Sequence, residues 1–255
     1  MDLRVIGCHG GETPKHRTSA FILNENLAVD AGSITSGMTV ADQAKLDICL
    51  VSHAHLDHVR DLATLADNRC QMRCGPLVIA GIKETLDALR DHFFNNLIWP
   101  DFSKIPTDGQ PTIVYQELAP EVETRLGRYV VRPIPVSHTI DAVGFIVDDG
   151  TSALGYSGDT GPTDLLWEHL NRQENLRALL IEVSFPNGEQ PMATASGHHT
   201  PATLARDLAK FRAPQDLPAL LYHIKPVFQA EVERECARLR GHNLQVVKLQ
   251  DHFEL

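Results

Sequence analysis

No stretch of this chain approaches 18 consecutive apolar residues, so no membrane span is expected. The opening residues, Met1-Asp2-Leu3-Arg4, lack a basic region followed by an apolar run, so no signal peptide is expected and the reading is cytoplasmic. Cysteine is sparse. Cys8, Cys49, Cys70, Cys74 and Cys236 are odd in number and scattered, and no second close pair joins Cys70 and Cys74 to make a zinc knuckle. Disulfide scaffolding is set aside and reduced thiols are expected. Basic residues are outnumbered, 23 Lys+Arg against 33 Asp+Glu, for a net charge of -10. That disfavours a long nucleic acid as partner, because such affinity is mostly phosphate neutralisation. A small anion stays open, since bound dications dominate their local field. Repeats, linkers and low-complexity tracts are missing too. With 43% hydrophobic and 22% charged residues the chain reads as one globular domain, 1–255.

What is abundant is histidine in one place. Val51-Ser52-His53-Ala54-His55-Leu56-Asp57-His58 holds three histidines and an aspartate within six residues. His53 and His55 stand two apart, so at a strand end they project to the same side. Asp57 and His58 follow where the chain turns and can reach a second ion beside the first. Imidazole nitrogen and carboxylate oxygen suit zinc, iron or manganese, and no thiolate is among the candidates.

Taken in order, Leu3 to Cys8 is expected as a strand, with a hairpin of 20–23 and 27–29 around Asn24-Glu25-Asn26. A strand at 47–51 delivers the histidine motif. Helical patterns follow at 62–68 and 82–94, separated by a strand at 77–80. The stretch from Phe93 to Asp101 fits neither period, and Pro100, Pro106, Pro111 and Pro120 make the region loop-rich. The segment 93–125 is read either as a lid offering rings and amides to a base, with Asn95 and Trp99 as substrate contacts, or as an inserted loop with its own small cluster. A strand from Tyr129 to Val136 leads to Ser137-His138. Strands at 144–147 and 153–156 pair around Asp148-Asp149-Gly150, and the second runs into Ser157-Gly158-Asp159. A helix near 162–171 and a core strand at 179–185 come next. Thr200 as N-cap with Pro201 begins another helix. A strand at 219–222 ends at His223, followed by a helix near 230–239 and a strand near 244–249. Four strand ends thus present His53, His138, Asp159 and His223. Such a pattern suits a sheet-on-sheet core with helices outside and ligand loops gathered on one edge.

These residues resemble the metallo-β-lactamase superfamily, over nearly the whole chain. Within it the chain is most similar to the class II cyclic-nucleotide phosphodiesterases. The pieces are Ser-His-Ala-His-Leu-Asp-His (52–58), Phe-Asn-Asn-Leu-Ile-Trp-Pro-Asp (94–101), Gly-Asp-Thr-Gly-Pro (158–162), Gly-His-His-Thr-Pro (197–201) and His-Ile-Lys-Pro (223–226). The resemblance implies an α/β (α+β) fold, an αββα sandwich of two mixed sheets with helices outside. It assigns His53, His55 and His138 to one metal, Asp57, His58 and His223 to the other, and Asp159 to both. Asp61 departs from the family pattern, which usually has a small residue three after the last histidine of the motif.

Two divalent ions, zinc first with iron or manganese as alternatives, would acidify a bridging water for attack on the phosphorus of a 3′,5′-cyclic nucleotide. The product is a 5′-nucleotide. Asp57 is expected to orient the nucleophile. His198, ahead of His199, is expected to protonate the departing 3′ oxygen, with His198 and Thr200 also touching substrate. The partner is a small nucleotide, with no membrane and no long nucleic acid; a homodimer is left open. A tRNA 3′-processing phosphodiesterase and a thioester or lactone hydrolase on the same scaffold are the rivals. A metal-bound nucleotide sensor would require a missing ligand, and none is missing.

Overall fold

A computed structural model of the chain describes residues 1–107, 109–212, 214 and 216–255; Asp108, inside the 93–125 segment, and Ala213 and Gln215 lie outside the described residues. The first half holds strands β1 (Asp2–Gly7), β2 (Ala20–Leu23), β3 (Leu27–Val29), β4 (Ile48–Leu50), β5 (Leu77–Gly81), β6 (Pro106–Thr107), β7 (Gln110–Pro111) and β8 (Ile113–Glu117). The second half holds β9 (Thr124–Leu126), β10 (Tyr129–Pro135), β11 (Val143–Asp148), β12 (Ala153–Tyr156), β13 (Leu176–Glu182), β14 (Pro218–Tyr222), β15 (Asn243–Val246) and β16 (His252–Glu254). One seven-stranded sheet runs β16-β1-β2-β3-β4-β5-β8 and the other β15-β14-β13-β12-β11-β10-β9, with β6 and β7 as a separate ribbon. Both sheets are mixed. Pairing is antiparallel from β1 to β3 and from β9 to β12, and parallel from β3 through β8 and from β12 to β15.

The strands are apolar on both faces because both faces are covered. In β2, Phe21 and Leu23 point between the sheets while Ala20 and Ile22 point outward; in β13, Leu180 faces inward and Leu179 and Ile181 outward. The inner layer is closed by Phe21, Tyr156 and Tyr222, whose rings lie 5.2–5.7 Å apart. Leu62, Leu65, Leu86 and Leu89 from helices 62–71 and 83–88 and the following turn cover the first sheet. Leu166, Trp167, Leu204, Leu208 and Val232 cover the second. This is the expected sandwich, with helices outside two mixed sheets.

Several elements differ from expectation. The 82–94 helix is α-helical only over Lys83–Ala88 and widens to a π-turn at Leu89–Phe93. The loop-rich region contains β8, paired in parallel with β5, and is followed by β9 at the far edge of the other sheet. Both are short edge strands among prolines, where the local pattern is weak. Helix Gln190–Ser196 and strand β16 also went unforeseen. Of the 93–125 segment, Phe94 and Phe102 are buried in the outer cluster against the first sheet, while Leu97 and Ile98 stand exposed at its tip. Among the described residues no helix is long and apolar enough to cross a membrane.

Candidate metal centre

Six strand ends feed one edge of the sandwich: β3 delivers Asp30, β4 the histidine motif, β10 His138, β12 Asp159, β13 Glu182 and Ser184, and β14 His223. All seven side chains expected at the metal centre converge there. His53, His55 and His138 form one set and Asp57, His58, Asp159 and His223 another, the ligand atoms of each set lying within 4.8 Å of one another. His55 Nδ1 lies 3.1 Å from His53 Nε2 and 3.2 Å from His138 Nε2. His58 Nε2 and His223 Nε2 are 3.3 Å apart, and each is 3.2 Å from Asp159 Oδ2. Ligand atoms around a tetrahedral zinc stand roughly 3.3 Å apart, given bonds of about 2.0–2.1 Å. Asp159 Oδ2 also lies 3.8 Å from His53 Nε2, which places this carboxylate against both sets.

The residues fit a cation. Asp159 is buried, and its Oδ1 has no hydrogen-bond partner among the described residues. A buried carboxylate oxygen without a donor is an uncompensated desolvation cost unless a positive ion faces it. Burial, aided by neighbouring imidazoles, pushes His53 and His55 below the ordinary histidine range, and burial does the same to His138 and His223. Their lone pairs are therefore free to bind metal. Burial acts on His58 in the same sense, but the flanking carboxylates of Asp159 and Asp30 raise it above the ordinary range. Burial opposes the charge on Asp57, yet His223 and His58 hold it well below the usual carboxylate range.

A second layer fixes four of the five rings. Asp30, fully buried at the end of β3, accepts from Ser52 N and Ser52 Oγ at 2.8 Å, from His58 Nδ1 at 2.7 Å and from the Tyr156 hydroxyl. Because Ser52 donates to Asp30, its oxygen is left to accept from His53 Nδ1 at 3.0 Å. Ser184 donates to Glu182 and accepts from His223 Nδ1 at 2.9 Å. The Gly197 carbonyl accepts from His138 Nδ1 at 3.1 Å. His53, His58, His138 and His223 thus each have one nitrogen tied down and the other aimed at the centre. Two glycines are required by this packing. A Cβ on Gly158, at φ +60, would meet the Val143 carbonyl at 2.7 Å, and one on Gly197, at φ +66, would stand 3.0 Å from His138 Cα.

His198 lies with the cluster, its imidazole grouped with His138 and Asp159 and its ring stacked on His223 at 5.2 Å. Its Nδ1 donates to Glu182 Oε1 at 2.9 Å. Burial would lower its affinity for a proton, but the buried Glu182 carboxylate reverses this and holds it above the ordinary range. His199 faces the other way, with Nδ1 3.1 Å from Thr203 Oγ1.

Three expected substrate contacts have other occupations. Asn95 Oδ1 accepts from the Leu97 and Ile98 amides, and its Nδ2 donates to the Asp91 carbonyl. The Trp99 indole donates to the Ala63 carbonyl at 3.0 Å and packs on the outer cluster. Thr200 is fully buried, donating to Gln190 Oε1 and accepting from the Thr203 amide as helix cap. None of the three has a hydrogen bond or ring contact to the histidine cluster among the described residues. Asp61, the departure from the family pattern, is also structural: its Oδ2 accepts from Thr35 N and Oγ1 at 2.8 and 2.7 Å. Asp30, Glu182 and Ser184 went unnoticed in the sequence reading as site residues. An isolated acid at a strand end, such as Asp30 before Ala31-Gly32, was the only signal available for the first.

The model of the beta-lactamase superfamily domain matches residues 32–224. The chain belongs to this superfamily. Among its relatives, a protein of Yersinia pestis named probable 3′,5′-cyclic-nucleotide phosphodiesterase is 27% identical over 278 aligned positions, covering 90% of this chain and 79% of that one. Superfamily structures agree in fold. Unliganded yeast PDE1 superposes with a TM-score of 0.80 at 17% identity, covering 98% of each chain. The short form of human tRNase Z superposes with a TM-score of 0.72 at 18% identity, covering 100% of this chain and 99% of that one.

Proposed function

We propose that this chain is a metal-dependent phosphodiesterase that hydrolyses 3′,5′-cyclic nucleotides to 5′-nucleotides. The observation that carries the reading is His198, a histidine outside the two ligand sets, placed beside them with its Nδ1 held 2.9 Å from the buried Glu182 carboxylate. Acyl transfer to a good leaving group has no need of such an acid, whereas a ribose 3′ alkoxide does. The Yersinia pestis relative, named a probable 3′,5′-cyclic-nucleotide phosphodiesterase, supports the same substrate class. The acidic charge of -10 argues against the tRNA-processing alternative, for which the likeness to human tRNase Z supplies fold alone.

His53, His55 and His138 would hold one divalent ion, and Asp57, His58 and His223 the other, with Asp159 shared; zinc suits this nitrogen and oxygen set first, iron or manganese next. Such a pair, when bound, supplies Lewis acidity and a water acidified to near neutral pH. The chain's own residues do the rest. Asp57, its carboxyl held against the effect of burial below the usual range by His223 and His58, accepts a hydrogen bond from the attacking water and aligns it with phosphorus. His198 releases its Nε2 proton to the 3′ oxygen as the P–O bond breaks. Glu182 holds the imidazole by Nδ1 and stabilises its charged form before transfer.

The test is turnover of cyclic nucleotides, bis(4-nitrophenyl) phosphate, a thioester and a lactone by metal-replete protein, with His198→Ala beside it. A nitrophenolate leaves unaided, so His198→Ala should lose roughly two to four decades of kcat on a cyclic nucleotide and far less on the aryl diester, with metal content retained. Equal losses on both substrates would remove His198 as the acid. Turnover of the thioester with none of any cyclic nucleotide would sink the whole reading.

A further inference from the structure

The segment that carries His138 also walls a cavity of about 520 Å³ on the flank of the metal centre. Its lining mixes polar surface with apolar side chains, among them Ile82 and Ala142, which are buried, and Pro135, which is half-buried. Ile140 stands over it from the 137–142 loop, 40% exposed. Glu84 and Asp141 lie on the same lining, both exposed, and neither forms an ion pair or side-chain hydrogen bond among the described residues. His138 lines this cavity and is also a member of the first ligand set, so the cavity borders that set through one shared residue. No part of the hydrolytic chemistry uses any of these residues except His138.

We propose that this cavity is the nucleobase subsite, and that its two carboxylates restrict the site to cyclic mononucleotides; this rests on the phosphodiesterase reading above. A nucleobase has apolar faces and a polar edge, which a mixed lining of Ile140 and Pro135 beside two carboxylates accommodates. Purines with exocyclic amino groups offer donors to Asp141 and Glu84. The same two charges repel any phosphate beyond the one at the metal centre, and specificity gained by such repulsion needs no added contact. The subsite also answers why Asn95 and Trp99 are engaged elsewhere: the base is received on the His138 side of the centre, by the loop that already bears a ligand. Phosphate and base are joined through a single ribose, and a ligand and a pocket wall on one short loop match that separation.

Ile140→Ala and Asp141→Lys, measured in the metal-loaded full chain, test this. Truncating Ile140 should raise KM for 3′,5′-cyclic AMP about tenfold or more relative to its effect on bis(4-nitrophenyl) phosphate, which has no base to place. Calorimetric binding of 5′-AMP should weaken by a similar factor. Asp141→Lys should improve kcat/KM for a 5′-phosphorylated dinucleotide relative to cyclic AMP. If wild-type protein hydrolyses cyclic AMP but both variants keep its KM and its affinity for 5′-AMP, the subsite is overturned and the phosphodiesterase reading stands. If wild-type protein hydrolyses the aryl diester but no cyclic nucleotide, that reading fails and the subsite falls with it.

Discussion

The two ligand sets are built differently. In one set His58, Asp159 and His223 are buried at 0–1% exposure and only Asp57 is half-buried, whereas in the other only His53 is fully buried and His55 and His138 are half-exposed. The buried set is braced from behind by Asp30 and by the Glu182–Ser184 pair, and its backbone is strained to fit. Asp30 sits at φ 57 and His223 at φ 69, left-handed conformations that non-glycine residues adopt only when their surroundings impose them. Here the Asp30 amide bonds to the Leu50 carbonyl at 2.8 Å and the His223 amide to the Cys8 carbonyl at 2.7 Å. The open set has lighter support: Ser52 behind His53 and one carbonyl, that of Gly197, behind His138. The difference teaches a division of labour. The set that includes Asp159 is the more heavily braced, and the other turns His138 towards the cavity on its flank.

The strongest way to break this picture is Asp159→Ala. It removes the one carboxylate against both sets, and activity should fall by about four decades or more with bound metal reduced. Elemental analysis finding two tightly held ions per chain in that variant would end the shared role. A finer cut is Asp30→Asn, which keeps the shape but offers a donor where four donors already converge. Affinity at the buried set should drop about 10–100-fold, as for other outer residues that orient metal ligands, while the open set is affected less. Equal weakening of both sites in a metal titration would contradict the asymmetry.

The smallest effect concerns acid. His9 lies behind the buried set, bridging to Ile224 beside His223, and burial followed by the charge of His16 lowers its pKa to about 4. In the unfolded chain histidine titrates near about 6.5. Between these values the unfolded state binds more protons, so this contribution to stability is complete above about 6.5 and declines as pH falls towards 4. Urea midpoints of His9→Gln should decline less steeply than wild type over that window. Parallel slopes would show that His9 has no part in it.

Local spacing marked four of the seven candidate ligands, His53, His55, Asp57 and His58, because H-x-H-x-D-H needs only a strand end and one turn to aim its side chains. The same holds for the alternating apolar strands that face covered sides, for the Thr200–Pro201 helix start, and for the turn at Gly158. Chain composition was enough to point away from a disulfide framework, and all five cysteines are free. Other features required the folded molecule. Asp30 meets His58 across 28 positions, and His58 meets His223 across 165. Whether a polar side chain is a ligand, a brace or a cap depends on which donors and acceptors surround it, and these arrive from distant strands. Trp99 and Thr200 show the same dependence, since their polar groups are satisfied by Ala63 and Gln190, which no periodicity places beside them. The left-handed backbones of Asp30 and His223 are the clearest instance. Neither residue prefers that conformation, and only the hydrogen bonds of the assembled edge hold them in it.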